Sequence, residues 1–98
     1  MKRIQVRHRF SKWAEYLACF FGHDLLIYTE KGRLMWGSPA ELSRTVKELR
    51  KNPYVKPVYQ DIDSVIAYLD WSNLTPSEER LLCAIVPFIE AQLDDNDD

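Results

Sequence analysis

"DIDSVIAYLDW", residues 61–71, is the stretch on which the fold turns. Ile62, Val65, Ile66 and Leu69 stand at i, i+3, i+4 and i+7, the spacing of one face of an α-helix. Read this way, the segment is a helix, with Asp61, Asp63 and Asp70 at capping or solvated positions near its ends. The preceding stretch, "KNPYVKPVYQ", residues 51–60, cannot be helical. Pro53 and Pro57 lack the amide donor and push the residue before them into an extended conformation. It is also a poor central strand, because each proline deletes a ladder hydrogen bond. Two accounts of this apolar ribbon stand. It is a docking segment displayed between two helices, anchored by Tyr54 and Tyr59 and stiffened by Pro53 and Pro57. Or it is an edge strand lying across the protein's own core. In the first account, Asn52-Pro53 and Lys56-Pro57 are also candidate substrates for a prolyl isomerase, since X-Pro bonds in flexible segments populate both isomers.

Working outward toward the N-terminus, "SPAEL" carries Ser38 as N-cap, Pro39 at N1 and Glu41 at N3, a capping box that predicts a helix running to about Lys51. Leu42, Val46 and Leu49 form its buried stripe, and Arg44, Lys47 and Lys51 a basic one. Before it, Leu26–Thr29 and Arg33–Trp36 read as a hairpin with Gly32 as the left-handed turn residue. Residues 3–10 alternate, Ile4, Val6, His8 and Phe10 against Arg3, Gln5, Arg7 and Arg9, which predicts a half-buried strand with a basic outer face. Ser11 then caps a helix whose apolar side is Trp13, Leu17, Phe20 and Phe21, ended by Gly22. Toward the C-terminus, Thr75, Pro76 and Glu78 repeat the capping logic. The helix they open is apolar on nearly every side, and Pro87 is expected to kink or break it. The predicted architecture is α+β: a small antiparallel sheet, made of the N-terminal strand plus the hairpin, covered by about four helices. Residues 1–93 form one domain and 94–98 an acidic tail.

Of 98 residues, 46% are hydrophobic, enough for a core and too many for a disordered chain. The two cysteines, Cys19 and Cys83, do not make a disulfide framework. The start "MKRIQVRHRF" lacks the apolar core of a signal peptide, and the apolar run 81–89 is too short to span a bilayer, so a cytoplasmic protein is expected. The net charge of -2 conceals two opposed halves. Residues 1–56 hold 12 Lys/Arg and 5 Asp/Glu, while residues 57–98 hold 1 Lys/Arg and 10 Asp/Glu. That asymmetry points to partners chosen by charge, or to two halves that attract each other.

No residue pattern argues for catalysis. His8, Cys19, His23 and Cys83 are the only soft ligands and have no zinc spacing, so no metal or cofactor is expected. Cys19 beside His23 and Asp24 has the residue types of a thiolate mechanism, but its neighbours Ala18, Phe20 and Phe21 predict a buried, inert thiol. Three glycines cannot build a phosphate-binding loop. Arg7, Arg9 and Lys12 beside Phe10 and Trp13 put basic groups next to stacking rings, which would suit nucleic acid or an acidic protein surface. Twelve aromatics in so small a chain favour a protein-binding role, since Tyr and Trp are typical interface anchors.

Taken whole, through its size, the start "MKRIQVRHRFSKWAEY" and the middle "RLMWGSPAELSRTVKELRKNPYVKP", the chain resembles the anti-RecBCD family of small early proteins made by lambdoid phages. The resemblance implies a non-enzymatic protein of the host cytoplasm. It would bind the host RecBCD helicase–nuclease at the RecC subunit, where the exiting strand is scanned for Chi, and protect or redirect the processing of phage DNA ends. It would also make the prolyl isomerase a host one. The alternative is a small nucleic-acid-binding regulator that uses the N-terminal basic face. Arg7, Arg9, Lys12, Trp13, Pro53, Tyr54, Pro57 and Tyr59 are the expected partner-binding residues.

Overall fold

The computed structural model describes residues 2–37 and 44–94, of which residues 2–9, 11 and 94 are described in backbone only. The chain is mixed α+β around a four-stranded antiparallel sheet. Helix α1 spans Lys2–Phe21, strand β1 Leu26–Thr29, β2 Leu34–Trp36, helix α2 Val46–Lys51, β3 Val55–Asp61, β4 Ser64–Asp70 and helix α3 Pro76–Asp94. The strand order is β2-β1-β4-β3. Among the described residues there are three α-helices and one 3₁₀ turn, Gly22–Asp24, rather than about four α-helices.

The decisive segment is a strand. Residues 64–70 form β4, hydrogen-bonded between β1 and β3, not the helix that the spacing predicts. A strand with apolar clusters on both faces reads as a continuous apolar run, and such a run also satisfies a helical template. Ala67 and Leu69 enter the cluster shared with α1 and α3, while Tyr68 enters a second cluster with Leu26, Tyr28 and Leu49. A register shift opposite Val58 and Tyr59 inserts Ile66 as an extra residue, so Ile66 joins Ala67 on the same side. The acidic pair that reads as a helix start is the hairpin turn. The Asp63 amide donates to Asp61 Oδ1 at 3.0 Å, and Ile62 stands 89% exposed at the tip.

The N-terminal strand is also overturned: residues 3–10 belong to α1. Phe10, Ala14, Leu17 and Phe21 are all buried, at i, i+4, i+7 and i+11. The helical stripe therefore reaches back through the apparent alternation, and the straight-chain Arg, Gln and Lys residues there are good helix formers. Ser11 consequently lies inside a helix and is not a cap. Gly22, at φ +69°, does end it. The β1–β2 hairpin forms as expected around Gly32, at φ +88°, where an added Cβ would run into the Arg44 carbonyl.

Helix α2 is shorter than predicted. The Ser38–Glu41 box lies outside the described residues, but Arg44 and Thr45 are not helical, so no helix runs unbroken from Ser38 to Lys51. The operative box is Thr45 with Glu48. The Glu48 amide donates to Thr45 Oγ1 at 3.1 Å, and the Thr45 amide to Glu48 Oε1 at 3.0 Å. Two hydrogen bonds from Thr45, backbone first and hydroxyl second, hold the Glu48 carboxyl below its ordinary value, with a smaller contribution from Arg44. The equivalent box at α3, Thr75 with Glu78, forms as the sequence predicts. Pro87 does not end α3, which continues to Asp94. Both Pro87 and Cys83, whose carbonyl loses its bond, are exposed, so water can serve that oxygen.

Candidate protein-binding surface

The ribbon "KNPYVKPVYQ" is an edge strand. Val55–Asp61 pairs with β4 alone, so its other side is the edge of the sheet. Alternation along the strand turns the amide positions of Val55, Pro57 and Tyr59 outward, and each is disposed of differently. The Val55 amide donates to the Asn52 carbonyl at 3.1 Å. Pro57 has no amide hydrogen. The Tyr59 amide donates to Glu90 Oε2 of α3 at 2.8 Å. The edge therefore keeps acceptors but no unused donor at these three positions, which blunts it against strand addition. Pro57 occupies an outward-facing edge position, one of the few strand positions a proline tolerates.

Both X-Pro bonds in this segment are trans. Pro53 is exposed in the turn before β3, and Pro57 is half-buried in the strand. Tyr54 packs edge-on to Trp71 at 5.1 Å and keeps 49% exposure; Tyr59 keeps 40%. The two tyrosines are neither core residues nor freely displayed anchors. They flank the edge and each contributes part of its ring to packing.

A larger apolar surface lies elsewhere. The register Leu26↔Asp70 puts the end of α1 and the start of α3 at the same end of the sheet, so the two helices run antiparallel. Their deep stripes enter the common core through Phe10, Leu17 and Phe21 on α1 and Leu82, Val86, Ile89 and Leu93 on α3. Beside each deep stripe runs a second one. On α1 it is Trp13, Tyr16 and Phe20, at i, i+3 and i+7. On α3 it is Leu81, Ile85 and Phe88, at i, i+4 and i+7. Trp13 joins the two stripes, meeting Tyr16 at 5.7 Å and Phe88 at 6.3 Å in edge-to-face geometry. Tyr16, Phe20 and Phe88 remain 68%, 64% and 59% exposed. Phe20 is thus largely outside the core the sequence assigns it to, held by an edge-on contact with Phe21. Contiguous exposed aromatics on a small domain mark an interaction site more often than isolated surface apolars do.

The expected site residues fall into two groups. Trp13, half-buried, sits at the α1–α3 seam, while Lys12 is exposed on α1; on the α1 backbone Arg9 lies about one turn before Trp13 and Arg7 about one and a half turns. Pro53 and Tyr54 lie in the turn before β3 and Pro57 and Tyr59 within it, and β3 meets the other flank of α3 through Glu90. Tyr16, Phe20, Leu81 and Phe88 are not among the expected residues. Their signal is the second helical stripe, which is masked when the first stripe is read as a strand that ends at Phe10.

Among the described residues no hydrogen bond joins Cys19 to His23. His23 stacks on Trp36 at 5.4 Å with planes 6° apart, and its Nδ1 donates to the Gly37 carbonyl at 3.3 Å. Cys19 is exposed rather than buried, correcting the sequence reading, and Cys83 is exposed as well; both are free thiols. Of its neighbours Leu17, Ala18, Phe20 and Phe21, three face the core, but Cys19 itself lies on the helix side opposite to it. Among the described residues no group of three or more His, Cys, Asp or Glu could hold a metal ion, and no helix is long and apolar enough to cross a membrane. No family model, curated protein or solved structure matches the chain.

Proposed function

We propose that this chain is a non-enzymatic binding protein that docks on a larger protein through the α1–α3 seam. The observation that carries this reading is the exposed aromatic stripe, Trp13, Tyr16, Phe20 and Phe88, laid over two helices that are anchored in the core beneath it. Such side chains are typical binding anchors: large, stiff and with little rotamer freedom to lose. The resemblance to the phage anti-RecBCD family supplies the partner, the host RecBCD helicase–nuclease, with RecC as the subunit occupied. Binding there would protect or redirect the processing of phage DNA ends in the host cytoplasm. The basic residues of α1 would steer the approach to an acidic surface. A host prolyl isomerase would reach Asn52-Pro53, in an exposed turn, more readily than Lys56-Pro57, which is held in the sheet.

A second reading is favoured by the five Lys/Arg residues on α1 against its single Glu15: direct nucleic-acid binding. One experiment separates the two. Purified RecBCD and, separately, a DNA duplex are titrated with the wild-type protein and with a Tyr16→Ser, Phe20→Ser, Phe88→Ser variant over a range of salt. Docking through the seam predicts that the variant loses RecBCD binding by at least about a hundredfold, the loss of about 1 kcal/mol or more at each of three anchors. Affinity for DNA that falls steeply with salt and ignores the three substitutions would favour the second reading. Tight RecBCD binding by the variant would exclude the seam.

A further inference from the structure

On the opposite side of the sheet from the α1–α3 seam lies a groove of about 450 Å³. Its cause is a mismatch of lengths. Helix α2, with 6 residues, is roughly 9 Å long at about 1.5 Å per residue, while β3, with 7, extends roughly 23 Å at about 3.3 Å per residue. The helix fills only one end of that face, through Leu49 packed among Leu26, Tyr28 and Tyr68. Beyond it the groove is lined by Val55, Pro57 and Tyr59 from β3 and Val65 from β4, with the buried Tyr68 beneath. The α2 end is closed by Arg50 and the other end by Ile62 and Asp63 of the hairpin turn.

The charges at the two ends are opposite and unequal in engagement. Arg50 Nε donates to Tyr68 Oη at 3.4 Å, a long bond that takes one of the five guanidinium N–H groups. No other partner holds Arg50 among the described residues, and the guanidinium is exposed at the mouth of the groove. Lys47 and Lys51 lie exposed on the same helix, whereas Glu48 is committed to the Thr45 cap. At the far end, Asp63 makes the rim acidic.

We propose that this groove binds an extended segment of a partner protein in which an apolar side chain is followed by a carboxylate. The apolar group lies on Pro57, Tyr59 and Val65, and the carboxylate takes the unused fork of Arg50, a charge-assisted and geometrically selective pair. Nucleic acid fits less well, because a phosphate backbone needs cations along its track and would meet Asp63 instead. This site is separate from the seam and does not rest on the function proposed above.

The test uses the full ¹⁵N-labelled chain titrated with acetyl-Pro-Leu-Asp amide to about 10 mM, which detects dissociation constants near about 1 mM. Acetyl-Pro-Leu-Asn amide and a short oligothymidylate are run in parallel. The expected result is saturable shifts confined to the amides of residues 49–51, 55, 56, 58, 59 and 63–68. Replacing Asp by Asn in the peptide, or Arg50→Gln in the protein, should each weaken binding by about tenfold, and the two together by no more than either alone. Arg50→Lys, which keeps the charge without the fork, should fall between. Failure to saturate, shifts centred on α1 and α3, equal binding of the Asn peptide, or tighter binding of the oligonucleotide through Arg50 would each overturn the assignment.

Discussion

Glu90→Ala isolates the one side chain that closes the β3 edge. The Tyr59 amide has no strand partner on its outward side, and its hydrogen bond to Glu90 Oε2 is 2.8 Å long. A hydrogen bond to a charged acceptor contributes roughly 1.5–3 kcal/mol when buried. Glu90 is only half-buried and water can replace it, so about 1 kcal/mol is the reasonable expectation. That corresponds to roughly a fivefold change in a local opening equilibrium. Native-state hydrogen exchange read residue by residue should therefore show the Tyr59 amide exchanging about fivefold faster in Glu90→Ala, with the ladder amides of β4 unchanged. Glu90→Gln keeps an acceptor and should restore most of the protection. With the donor released, the variant should also self-associate more readily at high concentration, because an edge with an exposed donor can template another strand. An unchanged Tyr59 rate would refute the idea that Glu90 plugs the edge. Equal acceleration of every amide would show that Glu90 acts on global stability instead.

Two further outcomes follow from side chains whose bonding is unusual. The hydroxyl of Tyr28 is fully buried and has no hydrogen-bond partner among the described residues. Tyr28→Phe should therefore leave stability unchanged or raise it by up to about 1 kcal/mol, about 4–8 °C in Tm for a domain of this size, and a loss of that magnitude in thermal melts would reveal a partner for the hydroxyl. Glu48 titrates below its ordinary value of 4.5 because the Thr45 amide and hydroxyl bond its ionised form. Its folded value is depressed, so its contribution to α2 is complete above the unfolded value and is lost as pH falls through the folded one. Amide signals of Val46–Leu49 should loosen on acidification in that window, and Glu48→Gln should remove the pH dependence; loosening that is identical in the variant would assign it to another group.

How much of this was legible in the sequence depended on whether a segment carried a local signal that only one structure satisfies. The Thr75–Glu78 box, the Gly32 turn and the Gly22 stop were legible because capping and left-handed backbone depend on neighbours in sequence. Residues 61–71 were not, because Val65, Ile66 and Leu69 fit a helix face as well as a strand buried on both sides. What decides between them is the pairing with β1 and β3, a tertiary fact that overrides periodicity. The segment 3–10 was misread for a related reason: four alternating pairs are too few to outweigh a helical stripe that continues to Phe21. Of the candidate site, Trp13 was legible as an aromatic beside basic residues. Tyr16, Phe20 and Phe88 were not, since only the antiparallel packing of α1 on α3 brings their stripes together. The edge character of "KNPYVKPVYQ" was one of two accounts the prolines allowed, but its plug, Glu90, lies 31 residues from Tyr59 in sequence and no local pattern connects them.

Hydroxyl-radical footprinting of the aromatic side chains, with the chain free and then mixed with purified RecBCD, the proposed partner, tests the proposed docking surface most directly. In the free protein Tyr16, Phe20 and Phe88 are the most exposed of the seam and should oxidise readily, as should Tyr54 and Tyr59. Docking through α1 and α3 predicts strong protection of Tyr16, Phe20 and Phe88 in the complex, with Tyr54 and Tyr59 close to their free rates. A complex in which Tyr16, Phe20 and Phe88 stay as reactive as in the free chain, while the β3 tyrosines become protected, would contradict it.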